Sequence, residues 1–206
     1  MKKRSDNVLG PLSNTIQGVV NSTWPMIIIS VVILVSCRLC YLLKKHEHIV
    51  LYKELLMLSF IIYILCLFQV VTFNVDVTWS GNNFIPFKEI FRYSFGSRLF
   101  FKNVLGNMIM FLPFGLFISY YLQNKKPHLT IVLATIASFS IEFVQLLIGR
   151  VFDIDDIILN IMGGYLGYLI YYVLSQLGEK MPNVLKKEWF LNIISVIILI
   201  GIITLL

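Results

Sequence analysis

Apolar residues run through this chain in blocks of nearly constant length, and the polar residues gather at the ends of those blocks. Successive runs cover residues 24–43, 55–73, 104–122, 129–148, 157–174 and 189–206. Each comes close to the roughly 20 residues that a helix needs to cross a bilayer core. The pattern predicts an all-α fold, a polytopic transmembrane helix bundle of about six spans. Residues 1–23 precede the first run, with Leu9, Leu12, Ile16 and Val19 at helical spacing. They suit either a surface helix or a tail. The first two helices occupy 24–73, a core of three helices with its leading loop occupies 74–178, and a last helix occupies 179–206. The one long loop, 74–103, lies between spans two and three. It carries Asn83, Phe84, Ile85, Pro86 and Phe87, too aromatic for a solvated linker, and is expected to be re-entrant or interfacial.

Composition agrees. The 206 residues are 58% hydrophobic and 14% charged, with a mean hydropathy of +0.83. A soluble domain carries about a quarter charged residues, so a water-soluble globule is excluded. The first run is long, starts far from Met1 and is followed by Arg38, Lys44 and Lys45, which reads as an uncleaved span. Cys37, Cys40 and Cys66 fall inside spans and read as packing residues. The net charge of +6 reads as topology and lipid attraction, and no motif points to nucleic acid or to a cofactor. Loops one, three and five hold Lys44, Lys45, Lys53, Lys125, Lys126, Lys180, Lys186 and Lys187, with Arg38 able to snorkel toward that side. Loops two and four hold Lys88, Arg92, Arg98, Lys102 and Arg150. The positive-inside rule therefore puts the odd loops in the cytoplasm and the long loop outside, against the pull of Lys2, Lys3 and Arg4.

Strongly polar side chains inside spans three to five cost free energy and need a reason to be there. Asn107 lies about 6 Å beyond Asn103 along its helix, Glu142 and Gln145 lie about 12 and 8 Å below Arg150, and Asn160 lies about 6 Å beyond Asp156. Loops two and four are separated by two spans and so share one side of the membrane. All these groups therefore belong to the leaflet beneath the long loop and the turn holding Asp153, Asp155 and Asp156. A polar cavity opening on that face accounts for them. Asn103 and Asn107 share a helix face by their spacing, as do Glu142 and Gln145. Gly163, Gly164 and Gly167 allow the fifth helix to approach a neighbour, and Pro113 with Gly115 interrupts the third span. The bland readings are interhelical glue for Asn107, Gln145 and Asn160, an ion pair of Glu142 with Arg150 or Arg98, and helix capping by one of the three aspartates.

The order Asn83-x-Ile-Pro86-Phe, Asn107-x-x-x-Phe111-x-Pro113-Phe114-Gly115, Ser140-x-Glu142-x-x-Gln145, Arg150, Asp153, Asp155-Asp156, Asn160, Gly163-Gly164 and Gly167 resembles the VanZ-like family of bacterial membrane proteins. The resemblance covers about residues 83–170. Ile161 and Met162 stand where that family often shows a small hydroxyl residue. The resemblance implies a multi-pass protein of the bacterial cytoplasmic membrane and an accessory role in teicoplanin resistance that leaves the peptidoglycan terminus unaltered. Teicoplanin carries an acyl chain and vancomycin does not, so a protein that distinguishes them would act where a lipid tail meets a polar head.

Three functions follow as expectations. The first is a cell-envelope accessory factor binding an amphipathic ligand, either a lipoglycopeptide or a membrane lipid or lipid-linked envelope precursor. Asn83, Pro86, Asn107, Gln145, Arg150, Asp153, Asp155, Asp156 and Asn160 are its candidate binding residues, with Arg150 suited to phosphate or carboxylate. The second is a membrane enzyme acting on a lipid-linked phosphate, with Glu142 as general acid or base and Asp155 and Asp156 holding a divalent cation. It lacks a nucleophile, because Ser140 lies on the face opposite Glu142. A transporter ranks third, for want of an inverted repeat.

Overall fold

The computed structural model describes residues 9–45, 50–73, 81–123, 125–180 and 187–205. Its elements are α1 (Leu9–Lys45), α2 (Leu51–Phe73), the short α3 (Lys88–Arg92) and α4 (Arg98–Phe100), a π-helical turn (Phe101–Leu105), α5 (Gly106–Leu122), α6 (His128–Leu147), α7 (Ile154–Lys180) and α8 (Glu188–Leu205). No strand occurs among the described residues; one isolated parallel bridge joins Asn83 to Asp153. Five helical stretches are long and apolar enough to cross a membrane: Trp24–Lys45, Leu51–Gln69, Arg98–Leu122, His128–Leu147 and Ile154–Gly178. The last predicted run is a shorter apolar helix over Glu188–Gly201 within α8. The protein is an all-α membrane protein.

Helix α1 runs without a break from Leu9 into the first span. Residues 1–8 lie outside the described residues. The chain forms two compact units, Met1–Val70 with Pro182–Leu206, and Val71–Met181. In the first, Arg38 does more than reach for the membrane surface. Its Nε and Nη2 each donate to a Glu54 carboxylate oxygen at 2.9 Å, which pairs two charges that α1 and α2 carry within their spans.

The second unit is built on α5, α6 and α7, and α6 is largely polar inside and apolar outside. On α6, Thr130, Ala134, Ser138, Glu142 and Gln145 are buried, whereas Val132, Ile136, Phe139, Phe143 and Leu147 are exposed. The buried positions recur every three or four residues, the period of one helix face. An apolar outer face is what a bilayer covers, and the polar inner face must then find its partners within the bundle. At the far end from Glu142, Ser119 of α5 and Thr130 of α6 lie 2.9 Å apart through their hydroxyls, and Ser119 also donates to the Gly115 carbonyl.

Helices α5 and α7 touch backbone to backbone. A Cβ on Gly115 would collide with the Gly164 carbonyl, one on Gly163 with the Met108 carbonyl, and one on Gly167 with the Leu112 carbonyl. A Cβ on Gly164 would come to 2.9 Å from that of Ala134 on α6. Small residues give membrane helices close van der Waals contact where no hydrophobic effect drives them together. Pro113 sits inside α5, which continues through it to Leu122, and Phe111 beside it is fully buried.

Substituting valine at Gly115 or Gly163 forces these backbones apart. We expect Gly163→Val and Gly115→Val to cost at least the about 1–3 kcal/mol typical of overpacking. A fall in the thermal unfolding midpoint in detergent would register it. Gly178→Ala, whose Cβ meets nothing, should leave the midpoint unchanged.

Candidate functional site

The site is assembled by the turn between α6 and α7 and by the loop that precedes α5. Helix α6 ends in a Schellman motif. Gly149 takes φ +85°, its N–H donates to the Leu146 carbonyl at 3.2 Å, and the Arg150 N–H donates to the Gln145 carbonyl at 2.9 Å. Glycine pays no steric cost in that left-handed conformation, and the reversal folds Arg150 back over the end of its own helix. Three residues later Asp153 caps α7, its Oδ1 accepting the Asp155 N–H at 2.9 Å.

The loop docks on this turn. Asn83 donates its backbone N–H to the Phe152 carbonyl (2.8 Å), accepts the Ile154 N–H (3.0 Å), and donates its side-chain amide to Asp153 Oδ1 (2.8 Å). Its own Oδ1 accepts the Ile85 N–H at 3.2 Å. The Phe84 and Phe152 rings stack at 5.3 Å. Next comes a turn with Pro86 at its second position and Phe87 at its third, closed by the Lys88 N–H on the Ile85 carbonyl at 3.4 Å. Phe87 has φ 67° and ψ 1°, the left-handed conformation that a type II turn demands there and that glycine usually supplies. For a phenylalanine it costs about 1–2 kcal/mol. Asp155 holds it: one carboxylate oxygen accepts the Phe87 N–H, and the other accepts the Glu89 and Ile90 N–H groups at 2.7 and 3.3 Å. Asp155, 1% exposed, thus ties the loop to α7.

The remaining polar groups converge beneath. Glu142 is 1% exposed, and its Oε2 accepts the Asp153 N–H at 3.0 Å. With the Gln145 amide turned so that both of its atoms are satisfied, its nitrogen donates to Glu142 Oε1 at 2.9 Å and its oxygen accepts from Arg150 Nη1 at 3.0 Å. Gln145 therefore bridges the acid to the guanidinium. Asn107 donates its amide to Asp156 Oδ1. Asn160, one turn further along α7, donates to the Ser138 hydroxyl at 2.9 Å, while its own Oδ1, fully buried, meets no donor. Asp153 lies outside the spans, and burial pushes its carboxyl up from the ordinary value. The Asn83 amide and the Asp155 N–H pull the other way, and the charges of Asp155 and Glu89 add to the rise.

Of the candidate residues, the structure links Asn83, Glu142, Gln145, Arg150, Asp153 and Asp155 in one hydrogen-bonded network. Asn107 and Asp156 form a pair whose carboxylate feels the charges of Glu142, Asp153, Asp155 and Arg150. Pro86 is exposed and shapes the turn without entering the network. The glycines and Pro113 lie in the helix packing. Asn103 sits in the π-helical turn, so its spacing to Asn107 is not that of a regular α-helix, and Asn107 alone of the two reaches Asp156. Ser140 bonds back to the Ile136 carbonyl on the exposed side of α6. Asp155 and Asp156 are directed to separate partners, the loop amides and Asn107. Consecutive helical residues point about 100° apart, and these two serve different partners. Among the described residues no group of three or more His, Cys, Asp or Glu side chains is placed to hold a metal ion. Two members escaped sequence reasoning: Asn82, whose Oδ1 accepts the Phe152 N–H at 3.0 Å, and Ser138. The four-residue spacing of Ser138 before Glu142 was the available signal for the second.

A family profile described as VanZ/LLP1 matches residues 60–175, the stretch that contains this whole network. The chain belongs to the VanZ/LLP1 family. It is also similar to Protein VanZ of Enterococcus faecium, at 33% identity over 104 residues, which is 48% of this chain and 60% of that protein. The similarity therefore spans less than two thirds of that relative's length. No solved structure matches. Because the VanZ/LLP1 region begins inside α2 and ends inside α7, the loop, the turn and the three core helices all fall within it.

Hydrogen bonds to a carboxylate are worth about 1.5–3 kcal/mol each, so Asp155→Ala should free the loop. We expect the Phe87, Glu89 and Ile90 amides to lose roughly tenfold or more of their hydrogen-exchange protection, at about 1.4 kcal/mol per tenfold. Asp155→Asn should give a smaller loss. Unchanged protection at those three amides would show that the loop is held by something other than this carboxylate.

Proposed function

We propose that this protein is a cell-envelope accessory factor of the bacterial cytoplasmic membrane that binds an amphipathic molecule. Its effect is to lower susceptibility to teicoplanin-type lipoglycopeptides. The observation that carries this reading is the hydrogen-bonded network of Glu142, Gln145, Arg150, Asp153 and the Asn107–Asp156 pair, with Glu142 and Gln145 buried, at one end of the bundle. Polar side chains in that setting are costly, and their concentration at one end favours a site over general helix glue. The loop above it supports the same reading. Its Phe84, Phe91 and Phe95 are 66%, 81% and 92% exposed, and exposed Lys88, Arg92 and Lys102 stand among them. Aromatic and basic residues together suit the headgroup layer of a bilayer, where a ligand with a polar head and an acyl tail lies. By the distribution of basic residues this face is the outer one, the side from which a drug arrives.

Binding is favoured over catalysis by how the acids are used. Both Glu142 oxygens accept hydrogen bonds, Asp155 is committed to the loop, and the Ser140 hydroxyl faces away. A binder works by mass action, so protection should rise in proportion to the amount of protein in the membrane.

The test is teicoplanin and vancomycin susceptibility in a Gram-positive host expressing graded levels of wild-type protein, Glu142→Gln or Asp156→Asn, with membrane levels measured in parallel. We expect wild type to raise the inhibitory concentration of teicoplanin severalfold and that of vancomycin little, with both variants inserting normally and protecting less. Equal protection by the variants would remove the network from function, and no protection at any level would remove the resistance role.

A further inference from the structure

The network is short of positive charge and long on acceptors. Asp153 and Asp155 are answered locally, the first by the Asn83 amide and the start of α7, the second by three backbone N–H groups. Glu142 accepts the Asp153 N–H and the Gln145 amide, and Asp156 accepts the Asn107 amide, so these two are met by neutral donors. Arg150 is the cation acting on both, whereas Asp153 adds negative charge to each and Asp155 adds more to Asp156. Two carboxyl groups thus stand against one guanidinium, an arrangement that favours uptake of either a proton or a further positive charge.

A second observation points to the same place. Asn160 lies one turn beyond Asp156 on α7, and its amide nitrogen is bonded to Ser138, one turn beyond Glu142 on α6. Its side chain therefore lies between the two helices beneath both carboxylates. It is 2% exposed, and its Oδ1 has no donor. Leaving a buried amide oxygen unpaired is costly, so a donor is missing where a positive charge is also missing. Asp156 is partly exposed, while Glu142 and Asn160 are buried.

Resting on the binding function proposed above, we infer that Glu142, Asp156 and Asn160 together receive the primary ammonium head of an amphipathic ligand. An ammonium brings one positive charge and three N–H donors, which answers both deficits at once. A metal ion would require oxygens converging within about 2.0–2.6 Å of one point. No three acidic, His or Cys side chains among the described residues are placed for that. Hydrogen bonds to N–H groups reach about 2.7–2.9 Å in three directions and suit acceptors spread over two helices. The specificity is thus for a cationic head, in place of the phosphate or carboxylate that Arg150 alone would favour.

The test uses the full chain purified in dodecyl maltoside at neutral pH, with thermal unfolding followed during titration by octylammonium. Octyltrimethylammonium, octanol and sodium chloride at equal ionic strength serve as comparisons. Octylammonium should raise the unfolding midpoint saturably and the others should not. Asp156→Asn, which keeps an oxygen for the Asn107 amide, should weaken the apparent affinity about tenfold or more through loss of a charge-assisted bond. Asn160→Asp adds a negative charge at the floor and should tighten binding, a direction that misfolding cannot mimic. Equal stabilisation by octyltrimethylammonium or octanol, reproduction by sodium chloride, or indifference to both substitutions would overturn the inference. The two proposals fail separately. Loss of drug protection in Asp156→Asn without any octylammonium binding by wild type sinks the ammonium site alone. Specific binding without drug protection sinks the resistance role and leaves the ammonium site standing.

Discussion

The contact between the α5 and α7 backbones is the constraint on which the rest of the second unit depends. Gly115, Gly163 and Gly167 leave no room for a side chain between the two helices. At that separation a side chain as short as asparagine spans the gap, and so Asn107 reaches Asp156. A wider spacing would leave both groups without partners in a medium that offers no water, where each would cost several kcal/mol. The glycines therefore serve the polar network as much as the packing. They also make α7 the axis of the unit, since α6 approaches the same helix through Ala134 and Gly164.

Around that axis the aspartates of the α6–α7 turn divide the work by position. Asp153 precedes the first helical residue and can accept the N–H of the second turn position, which a residue inside the helix could not. Asp155 emerges on the side that faces the loop and finds three N–H groups at the start of α3. Asp156, rotated by one residue, faces α5. A single acidic run thus caps one helix, fastens a loop and contributes to a pocket, because successive residues leave a helix in different directions.

Much of the fold was legible because a bilayer imposes length and polarity on every span. The all-α fold and the long apolar helices could be read from the apolar runs. Partners could not. Asn83 and Asp153 are 70 residues apart in sequence, and only the docking of the loop brings them together. The role of Asp155 was hidden for a related reason: a carboxylate that caps a separate segment looks, in sequence, like any acid in the first turn of its own helix. The π-helical turn before α5 altered the Asn103–Asn107 spacing without any proline or glycine at those positions to announce it.

Charge decides how the site should be read. A lone arginine amid apolar helices invites a phosphate, since its fork donates two parallel bonds. Here Arg150 Nη1 already donates to Gln145, and Gln145 passes its own N–H to Glu142, so the guanidinium is joined to an acid through an amide. An anion entering beside Arg150 would meet Glu142, Asp153 and Asp156 at close quarters in a medium that screens little. In that sum Asp153 is already met by the Asn83 amide and the Asp155 N–H, so on the ammonium reading Glu142 and Asp156 weigh most against an anionic head. A cationic head reverses every sign in that sum.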